Sequence, residues 1–372
     1  MSSVPPTYTA MTLSRHARRL GWGHACLDAH PVKIALLGPV AWRTPPRHYG
    51  PWEQVTGLLA EGLTARGVDV TLFATLDSVT PATLDGVLPR GYAEDPSLDG
   101  RVWEAMHVAH ALSRSGEFDL VHNHLDWLPL AFAEHCDAPM LTTIHGFSGS
   151  AIMPAYARAQ SAYVSISDSD RSPDLDYLAT VYHGVDLGQL PFDPDGGEGL
   201  IAFGRIHPDK GTHTAIEIAR LADRPLTICG IVQDERYFAE QVEPHIDGTR
   251  VRYVGSVGPV LRGQLLGGSA ALLHPIYFDE PFGLSVVESM ACGTPVIAFR
   301  RGSMPEVVAD GTTGYLVDTA AEAASAVAQI GSLDRAQCRK RVRERFSAER
   351  MADDYLRLYQ EVSLTGSATS GC

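Results

Sequence analysis

The sequence lacks the features of a membrane-spanning or disulfide-bonded protein. None of its apolar runs approaches the roughly 18 residues that a membrane-spanning helix needs. Its six cysteines are scattered and include no CxxC pair, which favours free thiols in a reducing cytosol over a disulfide framework or a zinc site. Residues 1–31 lack the apolar core of a signal peptide. We predict a cytoplasmic protein without a membrane span, although peripheral membrane contact stays open.

The sequence also has no excess of positive charge and no familiar metal motif. Its formal net charge of -14 argues against nucleic acid as the main ligand, because phosphate backbones are bound by clustered Lys and Arg. Three matches to the metal-binding pattern D-x-D, such as Asp168-Ser169-Asp170, are what chance produces in an Asp-rich chain. The motifs HExxH, GxSxG and GxxxxGK are absent. We therefore predict no bound metal and no cofactor.

What the sequence does contain is a repeated alternation of short apolar runs and helical patterns. Its 372 residues exceed the roughly 250–300 residues that one hydrophobic core accommodates, so two domains are expected. Continuous apolar strands that alternate with helices are typical of a parallel sheet covered on both faces. The predicted strands are 32–37, 68–74, 118–122, 140–144, 162–166, 180–182, 200–203, 226–229, 251–254, 271–274, 296–299 and 315–317.

This pattern predicts an α/β protein with two Rossmann-like, doubly wound lobes that face a central crevice. A segment rich in Pro, Gly and Asp separates the two runs of strands and predicts a linker. In open parallel sheets, ligands bind outside the carboxyl ends of the strands, so the facing strand ends are where chemistry is expected. The predicted parts are a disordered extension at 1–31, a first domain at 32–186, the linker at 187–199, a second domain at 200–345, and a helix with a disordered tail at 346–372.

The first cluster of candidate site residues follows the first strand of the second lobe. Residues 203–211 (FGRIHPDKG) have a glycine at each end of a turn that leads into a helix. Arg205 and Lys210 could converge there on one anionic group, beside the free N–H groups of the helix start. The alternative is a surface turn with solvated charges.

The second cluster surrounds a short helix. Pro281 cannot lie inside a helix, so the helix is predicted to begin near Gly283 and to end at Gly293. Its N-terminus is an anion site by its N–H groups and its dipole. Glu280 and Glu288 flank this start, and carboxylates accept hydrogen bonds well from neighbouring hydroxyls. A ligand with a phosphate group between two pairs of hydroxyls would fit this arrangement, and a sugar nucleotide is such a ligand. The alternative is that Glu288 forms a salt bridge on the helix and that Glu280 is solvated in a loop.

Residues 278–295 (FDEPFGLSVVESMACGTP) resemble the signature of glycosyltransferase family 4, a retaining, metal-independent group with the two-lobed GT-B fold. The resemblance extends from residue 32 to about residue 359. It implies that Glu280 contacts the transferred sugar and that Glu288 holds the ribose. Arg205 and Lys210 would bind the diphosphate, and Phe282, Gly283 and Leu284 would offer backbone N–H groups. The C-terminal helix would cross back onto the first lobe.

The first lobe fits the same resemblance, with one departure. Residues 45–53 (PPRHYGPWE) resemble the family's loop for the acceptor and diphosphate, which implies roles for Tyr49, Gly50 and Glu53. The second glycine of that loop is here Pro51, which has no N–H to donate. His145 resembles the family's active-site histidine; by position alone, a lone histidine is more often a hydrogen-bonded core residue.

The resemblance predicts a retaining hexosyltransferase that uses a UDP- or GDP-type sugar nucleotide as its donor substrate. The expected acceptor is a hydroxyl group of a saccharide, a natural product or a lipid-linked compound, and the expected state is a monomer or homodimer. Residues 49–53 also resemble enzymes that decorate antibiotics of the orthosomycin kind. A sugar-nucleotide epimerase of the same architecture and a non-catalytic sugar-nucleotide-binding protein are the alternatives.

Overall fold

The computed structural model describes residues 32–146 and 149–367, and of 361–367 it describes the backbone alone. The predicted extension at 1–31 and the predicted tail beyond residue 367 lie outside the described residues. None of the described helices is long and apolar enough to cross a membrane.

The first lobe is a seven-stranded parallel sheet with the strand order β3-β2-β1-β4-β5-β6-β7. Its central strands are buried almost completely, because helices cover both faces of the sheet. The strands are β1 (Lys33–Leu37), β2 (Asp69–Phe73), β3 (Thr83–Asp85), β4 (Leu120–Asn123), β5 (Met140–Ile144), β6 (Ser161–Ser165) and β7 (Tyr177–Thr180). The helices are α1 (Pro51–Thr64), α2 (Gly100–Ser113) and α3 (Met153–Arg158).

The second lobe is a six-stranded parallel sheet with the order β10-β9-β8-β11-β12-β13. Its strands are β8 (Leu200–Phe203), β9 (Leu226–Cys229), β10 (Val251–Tyr253), β11 (Ala271–His274), β12 (Val296–Phe299) and β13 (Gly314–Val317). Its helices are α4 (Thr212–Leu221), α5 (Glu235–Tyr237), α6 (Pro259–Gly267), α7 (Leu284–Ala291), α8 (Met304–Val307), α9 (Ala320–Val327) and α10 (Arg335–Arg345). Two parallel sheets with covering helices confirm the predicted α/β architecture.

The last helix, α11 (Ala348–Ser367), returns to the first lobe and packs against α1. Four residues on one face of this helix are at most 5% exposed and belong to the core around β1, β2 and β5: Met351, Tyr355, Leu358 and Tyr359. The Tyr355 hydroxyl lies 2.6 Å from the Thr143 hydroxyl. This crossing confirms the predicted return of the C-terminal helix.

Sequence patterns missed some elements. The strand predicted at 180–182 is misplaced, since β7 (Tyr177–Thr180) begins three residues earlier and ends two residues earlier. Helix α10 was not predicted, because seven of its eleven residues are charged and it has no apolar stripe. Its arginines instead donate to backbone carbonyls: Arg339 to those of Leu187, Leu190 and Ala291. That arrangement is invisible to a periodicity argument.

Candidate active site

A cavity of about 350 Å³ lies between the two lobes, at the carboxyl ends of both sheets. The first lobe contributes the loop before α1, the end of β5 and the segment after β7. The second lobe contributes the ends of β8 and β9 and the N-terminal ends of α6 and α7. All predicted site residues except Glu53 line this cavity: Tyr49, Gly50, His145, Arg205, Lys210, Glu280, Phe282, Gly283, Leu284 and Glu288.

The two predicted phosphate-binding cations both face the cavity, and each has an acidic partner. Arg205 contacts the Asp209 carboxylate at 3.4 Å and also donates to the Gln233 side chain. The Lys210 ammonium donates to the Glu280 carboxylate at 2.5 Å and lies 4.5 Å from the centre of the Phe278 ring. Both cations therefore line the same cavity.

Glu280 is the most tightly held carboxylate of the site. It is 9% exposed, and its Oε2 contacts Lys210 and also the imidazole of His274 at 3.4 Å. Burial by itself raises the pKa of Glu280, but the charge of Lys210, the nearby imidazole of His274 and the hydrogen bond from Lys210 outweigh it and lower that pKa to about 2. Glu280 is therefore a carboxylate at neutral pH, able to accept hydrogen bonds from hydroxyls.

Helix α7 begins at the cavity wall, one residue after the predicted start. Gly283 is its N-cap with φ 86°, in the left-handed region that favours glycine. A Cβ on Gly283 would lie 2.7 Å from Cε of Met304, so the end of that flexible side chain would have to shift, whereas the positive φ disfavours any side chain at this position. The ring of Phe282 is 2% exposed and packs on His183 and Phe346, which leaves its backbone at the cavity. The N-terminal N–H groups of this helix are thus presented to the cavity.

Glu288 has a partner that sequence reasoning missed. Arg262 of α6 donates from Nη1 to Oε1 of Glu288 at 2.7 Å, and from Nη2 to the His48 carbonyl of the first lobe at 2.9 Å. The side chains of Arg262 and Glu288 are 16% and 12% exposed. No motif surrounds Arg262 in the sequence, so only its position in the fold identifies it.

His145 belongs to a chain of three buried imidazoles. Its Nε2 lies 2.9 Å from Nδ1 of His124, and its Nδ1 lies 3.2 Å from Nε2 of His183. Burial lowers the pKa of His145 to about 3, and burial also lowers the pKa of His124 and of His183 well below the ordinary 6.5. The three rings are neutral at physiological pH. Trp52 stacks on His145 with ring centres 5.3 Å apart.

The loop before α1 departs from the prediction at Glu53. Its side chain is 3% exposed and does not line the cavity; Oε1 accepts from the backbone N–H of Trp42 at 3.1 Å. Burial raises the pKa of Glu53 to about 7. Glu53 therefore does not line the cavity, and its carboxylate holds the backbone of the loop at Trp42. Gly50 has φ 148° and leads into Pro51, the first residue of α1, where a missing N–H is tolerated.

The rejected D-x-D segment lies at a contact between the lobes. The backbone N–H groups of Asp168 and Ser169 donate to the Glu306 carboxylate at 2.9 and 2.8 Å. Within residues 32–146 and 149–367, no group of three His, Cys, Asp or Glu side chains is arranged to hold a metal ion. Nothing in the described chain therefore links this motif to the cavity.

Comparison with known proteins agrees with this geometry. A family model described as "Glycosyl transferases group 1" matches residues 192–348, and one described as "Glycosyltransferase Family 4" matches residues 53–172. Glycogen synthase of Mycobacterium tuberculosis is 28% identical over 85% of this chain and 90% of its own length. Phosphatidyl-myo-inositol mannosyltransferase of Mycobacterium leprae is 25% identical over 90% of this chain and 98% of its own length.

Solved structures share the fold. AviGT4, described as a glycosyltransferase involved in Avilamycin A biosynthesis, superimposes with a TM-score of 0.69 at 23% identity, over 90% of this chain and 98% of its own. Anabaena Alr3699/HepE, in complex with UDP and glucose, superimposes with a TM-score of 0.68 at 18% identity, over 89% of this chain and 100% of its own. The matched family models together span most of both lobes. Each lobe therefore matches a glycosyltransferase family model, and the chain has the GT-B fold.

Proposed function

We propose that this protein is a retaining, metal-independent hexosyltransferase that uses a UDP- or GDP-type sugar as donor and a hydroxyl group as acceptor. The observation that carries this proposal is that Arg205, Lys210 and the start of α7 line one interlobe cavity together with Glu280 and Glu288. Two cations and a helix N-terminus suit a diphosphate, and the two carboxylates suit hydroxyl pairs.

In this mechanism the second lobe stabilises the leaving group. Negative charge develops on the diphosphate as the bond to the sugar breaks, and Arg205, Lys210 and the N–H groups near Gly283 and Leu284 would meet that charge. Glu280 would accept hydrogen bonds from the transferred sugar, and Glu288 from the ribose. These contacts use side-chain cations where other transferases use a divalent metal ion.

The first lobe would receive the acceptor. Tyr49, Trp52 and the neutral imidazole of His145 form a largely aromatic wall opposite the second lobe. Aromatic faces suit the apolar side of a sugar ring or a natural product. The acceptor oxygen would bond to the anomeric carbon on the face that the phosphate leaves, and its proton would pass to the departing phosphate. Retention follows from this same-face attack.

Similar proteins support a sugar-nucleotide donor but differ in their acceptors. The HepE structures contain UDP, UDP and glucose, or UDP-glucose, which favours a uridine donor. The curated relatives include a glycogen synthase and a phosphatidyl-myo-inositol mannosyltransferase, so glucan and lipid-linked acceptors both occur among them. AviGT4 adds an antibiotic pathway, in line with the resemblance noted for residues 49–53.

The first experiment is a thermal-shift panel of UDP, GDP, ADP and dTDP, each with and without its sugar. We expect one nucleoside diphosphate to raise Tm, because a ligand that binds only the folded state stabilises it. A chain that responds to none of the four would contradict the proposal. Conversion of the sugar donor without any acceptor would instead indicate the epimerase, and binding without transfer would indicate a non-catalytic protein.

The second experiment removes both phosphate-binding cations. A hydrogen bond to a charged group contributes roughly 1.5–3 kcal/mol, and Arg205 and Lys210 must each exchange an acidic partner for the diphosphate. We therefore expect Arg205→Ala with Lys210→Ala to weaken nucleotide binding about 100-fold by calorimetry. The matched control is Arg236→Ala with Lys340→Ala, which removes two exposed surface cations of the same lobe. Equal affinities for both double variants would refute the assignment.

A further inference from the structure

Arg262 joins three parts of the site that are far apart in the sequence. Besides its contacts with Glu288 and the His48 carbonyl, its guanidinium lies 5.6 Å from the centre of the Phe203 ring, at the end of β8. Residues 47–48 also lie against Gly258, just before α6, where the nearest atoms of Arg47 and His48 are 3.8 Å from the position of a Cβ. Arg262 therefore lies at a contact between the loop of residues 45–52 in the first lobe and the second lobe.

The environment of Arg262 differs from that of a stabilising surface salt bridge. Both side chains of the pair are largely buried, and Nε of Arg262 has no hydrogen-bond partner among the described residues. A buried donor left unpaired carries a desolvation cost. A residue kept only for folding stability gains little from such an arrangement. Its placement instead suits a residue whose planar guanidinium must donate to the Glu288 carboxylate with one nitrogen and to the His48 carbonyl with the other.

We propose that Arg262 is a positioning residue that couples donor binding in the second lobe to the acceptor loop, residues 45–52, of the first lobe. This inference rests on the proposed function, in which Glu288 holds the donor ribose. Arg262 orients the Glu288 carboxylate toward the ribose from one nitrogen and fixes the His48 carbonyl from another. The site of the donor and the mouth of the acceptor site are thus connected through a single side chain.

The chemistry allows the ribose and Arg262 to share Glu288. A carboxylate has about four lone-pair positions, and Arg262 contacts only Oε1, so acceptor positions remain for the ribose hydroxyls. A bound ribose restrains Glu288, which restrains the guanidinium and, through the His48 carbonyl, the loop. Coupling of this kind is reciprocal: a nucleotide that orders the loop must itself bind more tightly when the loop is ordered.

A double-mutant cycle tests the route through Glu288. Calorimetry with UDP, or the nucleoside diphosphate that the panel identifies, would be done on the full chain for the wild type, Arg262→Gln, Glu288→Ala and the double variant. We expect Arg262→Gln to weaken binding about 5- to 10-fold in the wild-type background and less than about 2-fold when Glu288 is already Ala. Equal losses in both backgrounds would mean that Arg262 acts independently of Glu288 and would overturn the proposal.

Hydrogen exchange of peptides covering residues 43–54 tests the route to the loop. We expect saturating nucleotide to slow exchange there in the wild type but not in Arg262→Lys, because a compact ammonium cannot donate to Glu288 and His48 together. Since Lys keeps the charge beside Glu288, this variant should retain more nucleotide affinity than Arg262→Gln. Slowed exchange in Arg262→Lys at the wild-type level would overturn the proposal.

Glu306→Ala is the matched control, because it removes an interlobe contact that does not touch the cavity. Nucleotide should still slow exchange of the loop in this variant. If Glu306→Ala abolished the effect as well, the ordering would reflect general lobe contact, and Arg262 would have no special part in it. A wild type that binds no nucleoside diphosphate would overturn the proposed function along with this inference, whereas failure of the coupling alone leaves wild-type binding intact.

Discussion

The Lys210 ammonium lies 2.5 Å from the Glu280 carboxylate, so two residues predicted to bind different parts of the donor are partners of each other. Both side chains are at most 16% exposed, which makes this a buried ion pair across 70 residues of sequence. If Lys210 binds the diphosphate as proposed, substrate binding redistributes its contacts between Glu280 and the diphosphate. The pair also has consequences for stability that do not depend on any substrate.

The first prediction concerns that pair and pH. In the wild type, the folded-state pKa of Glu280 is about 2, below its ordinary 4.5, so its ionisation stabilises the fold above pH 4.5 and this contribution is lost as pH falls toward 2. Lys210→Met removes the cation and leaves burial, which raises the pKa of Glu280. We expect a loss of about 3 kcal/mol in the free energy of unfolding at pH 7.5 and a smaller loss at pH 5, measured by urea titration.

The control for this prediction is Lys210→Met combined with Glu280→Gln. The double variant leaves no unpaired buried charge, so it should recover much of the lost stability and lose the pH dependence of the difference. A loss of the same size at pH 7.5 and pH 5 in Lys210→Met would contradict the explanation, because a simple packing defect does not titrate.

The second prediction separates the two glutamates. Glu288→Ala should weaken both the sugar nucleotide and the free nucleoside diphosphate, because the ribose is common to both. Glu280→Ala should bind the free diphosphate at least as well as the wild type, since Lys210 loses its competing partner. Its defect should be in kcat/KM with the sugar donor, as expected for contacts that strengthen while the glycosidic bond breaks. Calorimetry with the bare diphosphate decides: equal weakening by both changes would refute the division of roles.

The third prediction concerns metal ions. If Arg205, Lys210 and the start of α7 supply the positive charge at the diphosphate, transfer activity should be unchanged in excess EDTA. The measurement is the initial rate with and without chelator, with re-addition of magnesium or manganese as the control. Activity that vanishes on chelation and returns with either metal would contradict the proposed mechanism.

The fourth prediction uses the three buried imidazoles. Their folded-state pKa values lie below the ordinary 6.5, so the unfolded chain binds more protons and stability falls as pH drops below 6.5. Each histidine should cost roughly 1 kcal/mol between pH 7.5 and 5.5. We expect His145→Gln to reduce the slope of the unfolding free energy against pH, because about one fewer proton is taken up on unfolding. His245→Gln, at an exposed position, is the control and should leave the slope unchanged.

The sequence by itself determined the architecture and identified ten of the residues that line the cavity. Continuous apolar strands predict parallel sheets because both faces must be buried, and all six strands of the second lobe were predicted to within one residue. Pro281, Gly283 and Gly293 define the short helix because their backbone restrictions are local. Local chemistry of this kind needs no knowledge of the fold.

Only the tertiary structure decided which of these residues meet. His124, His145 and His183 follow β4, β5 and β7, and their rings converge because parallel strands end at the same edge of a sheet. Glu53 turns away from the cavity toward Trp42, and Arg262 reaches across to the first lobe. Contacts between residues far apart in the chain depend on how the two lobes pack, and no periodicity or spacing in one sequence records that packing.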